Sequence, residues 1–408
     1  MRVGIIGGGA AGLFAGCFLK KQGADFTVLE KGPECGRKLV LTGHGRCNIT
    51  NRKPARDLKA GYHEASNFIY PAISSFTPDD AVKFIEDELG VPLKEEENNR
   101  MFPVSEKASD IRDALVKFIG KDNIRTGFDV TDISLEEGAF KVVSSEGESL
   151  TFDRIILATG GKSFAKTGSD GSGFKLAGRL GHKVTELAPA LAPVKAAGSD
   201  REFTSSVSGV SVDADAGLYL GSKKQTQTHG SVLFTHDGLS GPAVTELARY
   251  IPSDVVSSDG WIELDFMPGR TDTEVDEELL REINDRPDTK LTTIGAGYVP
   301  SSLSSGLGKR AGVTDLYAAK VTRENRKSFL KELKHCRIKI ASQSSFDTAF
   351  VTRGGVELKE ISRKTLESSI VPGLYFIGEI LDVDGISGGY NLQAAMSGAY
   401  IAAHSIMC

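Results

Sequence analysis

Three glycines near the start of the sequence have the spacing of a phosphate-binding loop. Gly7, Gly9 and Gly12 follow an apolar run at residues 3–6 and precede a segment with helical periodicity. Glycines at these positions permit a tight turn, let a pyrophosphate approach the backbone and bring the helix close to the strand. Glu30 ends a second apolar run, where a carboxylate accepts hydrogen bonds from ribose hydroxyls. The pattern predicts a dinucleotide-binding βαβ unit, and the alternative is a structural turn without a ligand.

A glycine-rich loop with basic residues follows the second predicted strand, at residues 31–52. Its basic residues Arg37, Lys38 and Arg46 are spaced among glycines rather than gathered in one charged run. This arrangement brings the backbone close to an anion and adds positive charge. We therefore expect the loop to contact phosphate groups, although a surface loop with incidental arginines would give the same pattern.

Two further segments end predicted strands in small residues, which leaves room for a ligand at the edge of a parallel sheet. One is Ala158, Thr159 and Gly160, and the other is Gly378 with Glu379. A simple nicotinamide-binding fold requires only the N-terminal motif, whereas the ribityl chain and tricyclic ring of FAD require all three. The sequence therefore predicts FAD as the bound cofactor. NAD(P)H is expected only as a transient reductant, because no second glycine motif of this type is evident.

Candidate residues for proton transfer lie in the basic loop and at the start of a C-terminal helix. That helix is predicted from Gly389 onwards, and its positive end would stabilise the charge that forms at the flavin N1/O2 edge on reduction. Tyr390 either packs on the flavin or only caps the helix. His44 either donates a proton or has a structural role. His44 and Tyr390 are therefore the two predicted catalytic residues.

Composition limits the classes of partner. The 408-residue chain has 40% hydrophobic residues and a net charge of −5, which argues against nucleic acid or an anionic membrane as a partner. No apolar run reaches the roughly 18 residues needed to span a bilayer. Five scattered cysteines favour a reducing, cytoplasmic location over a disulfide framework. No His/Cys spacing indicates a metal site, and the oligomeric state is left open.

The predicted fold class is α/β. It consists of a Rossmann-like FAD-binding domain, with a parallel sheet and a small antiparallel meander, interrupted by a β-rich plus helical insert. The predicted boundaries are 1–194 and 346–408 for the FAD-binding domain and 195–345 for the insert, with 195–270 β-rich and 271–345 helical. Within the helical part, the Ser- and Gly-rich span 301–308 is predicted to be a loop.

Four segments carry a longer pattern that covers nearly the whole chain. They are Cys35–Asn51, Ala158–Gly161, Thr235–Pro242 and Gly378–Gln393. Together they resemble a bacterial flavoprotein family that includes aminoacetone oxidases and bile-acid dehydro-reductases, within the two-dinucleotide-binding-fold superfamily. The resemblance implies FAD bound by an interrupted α/β domain. His44 departs from the family pattern, which usually has a small residue there, and this bears on the substrate range.

The motifs and the resemblance together give a set of predicted cofactor contacts. The set comprises Gly7, Gly9, Ala11, Gly12, Glu30, Lys31, Arg37, Lys38, Thr42, Gly45, Arg46, Cys47, Asn48, Val130, Ala158, Thr159, Gly160, Gly378, Glu379, Asp384, Gly389, Tyr390, Asn391 and Gln393. The predicted function is an FAD-dependent oxidoreductase that passes a hydride between a small-molecule substrate or NAD(P)H and the flavin, with oxygen or an enone as acceptor. The alternative is a flavin-binding redox sensor or interaction module without turnover. RNA modification is disfavoured by the acidic composition.

Overall fold

The structure is a computed structural model that describes residues 1–408. Its strands are β1 Arg2–Ile6, β2 Asp25–Glu30, β3 Thr50–Asn51, β4 Leu93–Glu96, β5 Arg100–Pro103, β6 Ile124–Thr126, β7 Val130–Glu136, β8 Ala139–Ser144, β9 Ser149–Phe152, β10 Arg154–Leu157, β11 Ala188–Ala190, β12 Val194–Ala196, β13 Ser211–Leu220, β14 Lys223–Thr235, β15 Gly238–Ser240, β16 Gly260–Asp265, β17 Cys336–Ser342, β18 Val351–Arg353 and β19 Leu374–Phe376. Its helices are α1 Ala10–Lys21, α2 Ala55–Leu58, α3 Ser66–Ser75, α4 Pro78–Lys83, α5 Ala108–Ile119, α6 Ser172–Arg179, α7 Gly198–Ser206, α8 Pro242–Thr245, α9 Asp272–Asp285, α10 Leu291–Gly295, α11 Ser301–Arg310, α12 Arg323–Lys334 and α13 Tyr390–Met407. None of these helices combines the length and apolar character needed to cross a membrane.

The chain divides into two compact units. One consists of Met1–Ala188 with Phe350–Cys408, and the other is Pro189–Ala349. The domain boundaries expected from the sequence lie at 194/195 and 345/346, a few residues inside the second unit at either end.

The first unit is built on a five-stranded sheet with the order β19-β10-β1-β2-β6. All neighbouring strands run parallel, and β1 lies at the centre, where Val3 and Ile5 are fully buried. Parallel sheets are covered on both faces, which explains why these strands are continuous apolar runs. Strands β7, β8 and β9 form a separate antiparallel meander. The predicted parallel sheet and the predicted meander are both confirmed.

The carboxyl ends of three strands lie side by side in this sheet. Ile6 of β1 is in register with Leu157 of β10, and Leu157 is in register with Phe376 of β19. The segments that follow these strands are the three motifs that the sequence singled out. They therefore meet at one edge of the sheet, which is where open α/β sheets bind ligands.

The second unit contains a closed antiparallel barrel with the order β12-β15-β14-β13-β16-β17. Side chains alternate along β16, where Ile262 and Leu264 are fully buried while Trp261 and Glu263 are partly exposed. Helices α9 to α12 precede β17, which returns to close the barrel. The predicted β-rich and helical texture of the insert is confirmed, with this final strand as an addition.

The predicted loop at residues 301–308 is wrong, because α11 covers this span. Leu303 and Leu307 are fully buried one helical turn apart, which gives the helix an apolar face. The Ser304 hydroxyl donates to the Thr292 carbonyl (2.6 Å) in α10. Small residues usually indicate a loop, but here they let two helices lie close together.

A buried histidine ties the end of α6 to the segment that precedes β19. His182 Nδ1 lies 3.0 Å from Glu360 Oε2, and His182 Nε2 lies 2.8 Å from the Ser368 hydroxyl oxygen. That oxygen also accepts the amides of Ile370 and Val371, at 3.0 and 2.8 Å. Burial lowers the pKa of His182, against the opposing effect of Glu360.

We expect His182 to make stability depend on pH. The pKa of His182 is lower in the folded chain than the ordinary 6.5 or so of an unfolded one. The contribution of neutral His182 to the unfolding free energy is therefore complete above about pH 6.5 and is lost as the pH falls below that value. His182→Gln should flatten this dependence in urea unfolding at pH 7.5, 6.5 and 5.5, and lower the unfolding free energy by about 1–3 kcal/mol. His229→Gln is the control, because His229 is 62% exposed. Equal pH dependence in wild type and His182→Gln would contradict the expectation.

Candidate functional site

The first two motifs meet where β1 and β10 end. The Gly7 amide donates to the Leu29 carbonyl (2.8 Å), and the Ala158 amide donates to the Ile6 carbonyl (2.9 Å). Gly7 has a φ of +107°, and a Cβ atom built on it would lie 2.6 Å from the Ala158 oxygen. Both the backbone angle and the close approach therefore require glycine at position 7.

The start of α1 leaves a cradle beside this turn. A Cβ atom on Gly12 would lie 1.9 Å from the Gly7 oxygen, whereas a Cβ atom on Gly9 would meet no protein atom within 4 Å. Gly9 caps α1 without a side-chain hydrogen bond, so the first-turn N–H groups have no partners within the helix. Open space next to such N–H groups fits a pyrophosphate.

Glu30 is held at the end of β2 by two backbone hydrogen bonds. Its carboxylate is buried and accepts the amides of Gly8 (2.8 Å) and Gly32 (2.7 Å). Each carboxylate oxygen retains a second acceptor position that a ribose hydroxyl can use. The Phe128 amide donates to the Glu30 carbonyl (3.0 Å), which brings Val130, a predicted contact at the start of the meander, to the same end of the sheet.

Two buried hydroxyl groups beside the second motif have no hydrogen-bond partner. They are Thr159 Oγ1 and Ser169 Oγ. A Cβ atom on Gly173 would lie 1.8 Å from Thr159 Oγ1, and one on Gly160 would lie 3.1 Å from Ser169 Oγ. Buried hydroxyls are normally hydrogen-bonded. Their state, together with the glycine cradle, fits a polar ligand such as a dinucleotide.

The third motif lies against the first two. A Cβ atom on Gly378 would lie 2.8 Å from the Ala11 Cβ atom of α1. The Ile377 amide donates to the Leu157 carbonyl (3.1 Å), which extends the pairing of β19 with β10 to this edge. The fold thus brings all three motifs together, although Ala11 and Gly378 are 367 residues apart in the sequence (378 − 11).

Glu379 is the centre of a polar network in this region. Lys38 Nζ lies 2.8 Å from its Oε2 atom, and its Oε1 atom accepts the Ser163 hydroxyl (2.9 Å) and the Thr352 amide (2.8 Å). Lys38 also donates to the Ser163 hydroxyl oxygen (2.7 Å). Sequence reasoning missed Ser163 and Thr352. Ser163 could have been found from its position just after the second motif, whereas no sequence signal marks Thr352.

Two other basic residues tie the basic loop to the segment that follows the second motif. Arg37 donates to the Lys166 carbonyl (2.6 Å), and Lys31 pairs with Asp170 (2.7 Å). Burial raises the Asp170 pKa, but the Lys31 ammonium and hydrogen bonds from the Ser172 amide and hydroxyl outweigh it, so the pKa is lowered. Both basic side chains are only partly buried, so their charge remains near the end of β2.

Arg46 is paired with two acidic side chains of the protein itself. Its guanidinium pairs with Glu96 and with Glu106 (3.1 Å) and lies over the Phe102 ring, 4.2 Å from the ring centroid. The carboxylates of the small β3-β5-β4 sheet region thus take up its charge. The predicted phosphate contacts of Arg37, Lys38 and Arg46 stay predictions.

The turn before Cys47 is held by its own backbone. The Thr42 hydroxyl donates to the Leu39 carbonyl (2.7 Å), and the Cys47 amide donates to the Thr42 carbonyl (2.9 Å). His44 and Gly45 are exposed at the tip, with φ of +57° and +84°. A left-handed φ is uncommon for histidine. His44 is therefore presented to solvent on a tightly fixed turn.

The start of α13 packs on the end of the basic loop. A Cβ atom on Gly389 would lie 2.4 Å from the Thr50 carbonyl carbon. The Asn48 carboxamide bridges these residues when its nitrogen donates to the Thr50 oxygen (3.1 Å) and its oxygen accepts the Gly389 amide (3.3 Å). Gln393 is fully buried and accepts the Thr50 hydroxyl (2.6 Å). These predicted contacts therefore brace the helix start.

Tyr390 packs against Tyr62, and the Asn391 side chain is hydrogen-bonded to the backbone of Gly385. Tyr390 is 3% exposed, its ring meets the Tyr62 ring edge to face at 5.7 Å, and its carbonyl accepts the Tyr62 hydroxyl (2.8 Å). The Asn391 carboxamide exchanges two hydrogen bonds of 2.9 Å with the Gly385 backbone. Asp384, just before it, is buried. Of the two predicted catalytic residues, His44 is exposed and Tyr390 is enclosed.

The cysteines are arranged for packing rather than for redox chemistry. Burial raises the pKa of both Cys35 and Cys47 to about 12, and it also raises the pKa of Cys17 and Cys336. All five cysteines are free, and only Cys408 is exposed. A thiolate is therefore disfavoured at the four buried positions.

We expect the native protein to react rapidly with the thiol reagent DTNB at one cysteine only, Cys408. The buried thiols should react after unfolding in guanidinium, because only the thiolate attacks and access is blocked in the folded state. Absorbance of the released thiolate at 412 nm counts the thiols. Cys408→Ser is the control, and it should remove the rapid phase. A rapid native reaction that survives this change would contradict the structural assignment.

Comparison with known proteins places this fold in a family. The family model described as "HI0933-like protein Rossmann domain" matches residues 1–405. A 3-dehydro-bile acid delta(4,6)-reductase of Clostridium scindens is 30% identical over 407 residues, covering 98% of each chain. A ribosomal RNA dihydrouridine synthase of Haemophilus influenzae is 33% identical over 410 residues, covering 98% of this chain and 97% of that one.

A solved structure shares the fold at much lower identity. The 3-ketosteroid delta1-dehydrogenase from Sterolibacterium denitrificans has a TM-score of 0.53 and 12% sequence identity, covering 99% of this chain and 98% of that one. The predicted resemblance is therefore confirmed by the family match, and the solved structure shares the fold. The chain belongs to the HI0933-like Rossmann family of FAD-dependent oxidoreductases.

Proposed function

We propose that the protein reduces a carbon–carbon double bond conjugated to a carbonyl in a small molecule, with NAD(P)H as the reductant. The observation that carries the proposal is the chemistry shared by two of its full-length relatives. By their names, one reduces Δ4,6 double bonds in a 3-dehydro bile acid, and the other makes dihydrouridine from uridine. In both compounds the double bond that is reduced is conjugated to a carbonyl group. The two compounds otherwise differ in size, charge and polarity.

The residues of this chain would bind the two ends of FAD and manage one proton. When bound, FAD supplies hydride transfer at its N5 position. The cradle at Gly9 and the α1 N-terminus would hold the pyrophosphate, and Glu30 the ribose. The Lys38–Glu379 pair would lie beside the third motif. The start of α13 would stabilise negative charge on the pyrimidine ring.

Reduction of the double bond adds a hydride at the carbon distal to the carbonyl and a proton at the carbon next to it, while NAD(P)H becomes NAD(P)⁺. A side chain that donates this proton must reach the substrate. His44 is exposed on a fixed turn, whereas Tyr390 is enclosed by Tyr62. We assign proton donation to His44 and a packing role to Tyr390.

His44→Ala should slow only the oxidative half-reaction, in which the substrate reoxidises the reduced flavin. Loss of a proton donor typically lowers the rate about 10²-fold or more, so reoxidation of reduced holoenzyme by substrate should slow by roughly that factor. The rate of flavin reduction by NAD(P)H and the affinity for FAD should both stay within about twofold of wild type, because the His44 side chain is exposed. Stopped-flow absorbance at 450 nm separates the two halves. Equal slowing of both, or of neither, would contradict the assignment.

Product analysis tests the proposed reaction. Holoenzyme with NAD(P)H should convert 4-en-3-one and 4,6-dien-3-one steroids, or simpler cyclic enones, to products two mass units heavier under anaerobic conditions. The corresponding saturated ketone and an isolated alkene are the matched negative substrates. NAD(P)H oxidation that occurs only with oxygen, with no mass increase in any conjugated substrate, would refute the reductase reading in favour of an oxidase.

Reduction of uridine in ribosomal RNA is the second candidate. It is favoured by the 33% identity to the Haemophilus influenzae protein over essentially its full length, and opposed by the net charge of −5. Mass spectrometry of digested ribosomal RNA from a strain lacking this protein distinguishes the two. We expect unchanged dihydrouridine content. Loss of one dihydrouridine, restored by the wild-type gene, would replace the small-molecule proposal.

A further inference from the structure

The buried side-chain amide of Asn51 lies beside the start of α13, and its oxygen accepts no hydrogen bond. Asn51 is 3% exposed, and its Oδ1 atom is shielded from solvent and makes no hydrogen bond. Its Nδ2 atom donates to the Asn98 carbonyl (2.9 Å) and to the Gly388 carbonyl (3.3 Å). Asn51 ends one of the segments that carry the family resemblance, but it was not among the predicted cofactor contacts.

The orientation of this amide is fixed by its two partners. Exchange of the Asn51 nitrogen and oxygen would place Oδ1 against the carbonyl oxygens of Asn98 and Gly388, which repel it. The oxygen is therefore held as an acceptor on the opposite side. Buried acceptors in folded proteins normally have a partner, so the geometry calls for a ligand with an N–H or O–H group.

The surroundings add donors next to this acceptor. Gly388 directly precedes Gly389, the N-cap of the 18-residue helix α13, which has no side-chain capping hydrogen bond. The Gly389 amide donates to Asn48, whereas the N–H groups of residues 390–392 in the first turn of α13 have no partner within the helix and carry partial positive charge. A ligand that matches both features needs an N–H or O–H group facing Asn51 Oδ1. Beside that donor it needs a carbonyl oxygen that takes on negative charge on reduction and faces the N–H groups of α13.

The pyrimidine ring of a flavin has such an edge, since its N3–H lies between two carbonyl groups. We propose that Asn51 Oδ1 accepts the hydrogen bond of the flavin N3–H and so positions the ring against the start of α13. The inference rests on FAD binding, which the proposed function requires. It adds a residue that selects the imide form of the ring.

FAD methylated at N3 tests the assignment, because it lacks this donor. Apoprotein titrated with each flavin, followed by quenching of flavin fluorescence, gives the two affinities without any turnover. Wild type should bind FAD about tenfold more tightly than the N3-methyl compound, as the loss of one buried hydrogen bond predicts. Asn51→Leu should bind FAD more weakly and lose most of this preference. Asn51→Ala serves as a second variant with space for the methyl group.

Controls separate the possible failures. Each variant should unfold within a few degrees of wild-type apoprotein and should bind ADP equally well, because ADP would contact only the Gly7–Gly12 cradle and Glu30. No binding of FAD to wild type would overturn the proposed function itself. Equal affinity of wild type for both flavins, or the same preference in wild type and both variants, would overturn the role of Asn51 while leaving FAD binding intact.

Discussion

Gly9→Ala should lower the affinity for FAD roughly 100-fold while leaving the fold unchanged. A Cβ atom at this position meets no protein atom within 4 Å, so the added methyl group causes no clash in the apoprotein. It would occupy the space that a pyrophosphate needs to reach the first-turn N–H groups of α1. Overpacking of about 1–3 kcal/mol at such a contact corresponds to about 5- to 150-fold in affinity, and the prediction takes the upper part of that range.

Two glycine variants frame this prediction. Gly178→Ala makes the same change in α6, also without a neighbour within 4 Å, and should leave both stability and FAD affinity unchanged. Gly12→Ala places a methyl group against the Gly7 oxygen and should destabilise the apoprotein itself. Affinity is measured by fluorescence titration of apoprotein, and stability by thermal unfolding. Wild-type affinity in Gly9→Ala would exclude this cradle as the pyrophosphate site.

Glu30→Ala should reduce both stability and FAD affinity. It removes the acceptor of the Gly8 and Gly32 amides, which lie 2.8 and 2.7 Å from the carboxylate. Hydrogen bonds to a buried charged group contribute about 1.5–3 kcal/mol each, so the loss of two should lower the unfolding free energy by roughly 3–6 kcal/mol. The loss of the ribose contact should weaken FAD binding by a further factor of roughly 100.

A charge-matched variant separates the local role of Glu30 from the loss of one negative charge. Glu34 lies four residues further on, is 60% exposed and pairs with Arg112 at 3.1 Å. Glu34→Ala should leave urea unfolding and FAD affinity close to wild type. If Glu30→Ala lowers stability but binds FAD as tightly as Glu34→Ala does, the carboxylate is structural and its predicted ribose contact is wrong.

The sequence was sufficient for the parts of the site that depend on local patterns. The β1–α1–β2 unit follows from glycines, apolar runs and one acid within 30 residues, and each of these has a direct backbone consequence. The ends of β10 and β19 could also be predicted, because small residues after an apolar run mark a strand that stops at a ligand edge.

Contacts between distant segments could not be predicted. The Lys38–Glu379 pair spans 341 residues, and nothing in the sequence near Thr352 indicates that its amide completes the network. Arg46 carries the right charge for a phosphate, yet its position in the fold sets it against Glu96 and Glu106. Charge type is visible in a sequence, whereas the partner of a charge is decided by packing.

The most direct test of the central claim is a single anaerobic half-reaction. Holoenzyme is photoreduced with EDTA as the sacrificial electron donor, without NAD(P)H, and mixed in a stopped-flow instrument with a conjugated enone while absorbance at 450 nm is followed. The proposed function predicts that the absorbance of oxidised flavin returns and that the enone gains two hydrogens in equal amount. Reduced enzyme that stays bleached with every conjugated enone, but is reoxidised at once by oxygen, would contradict it.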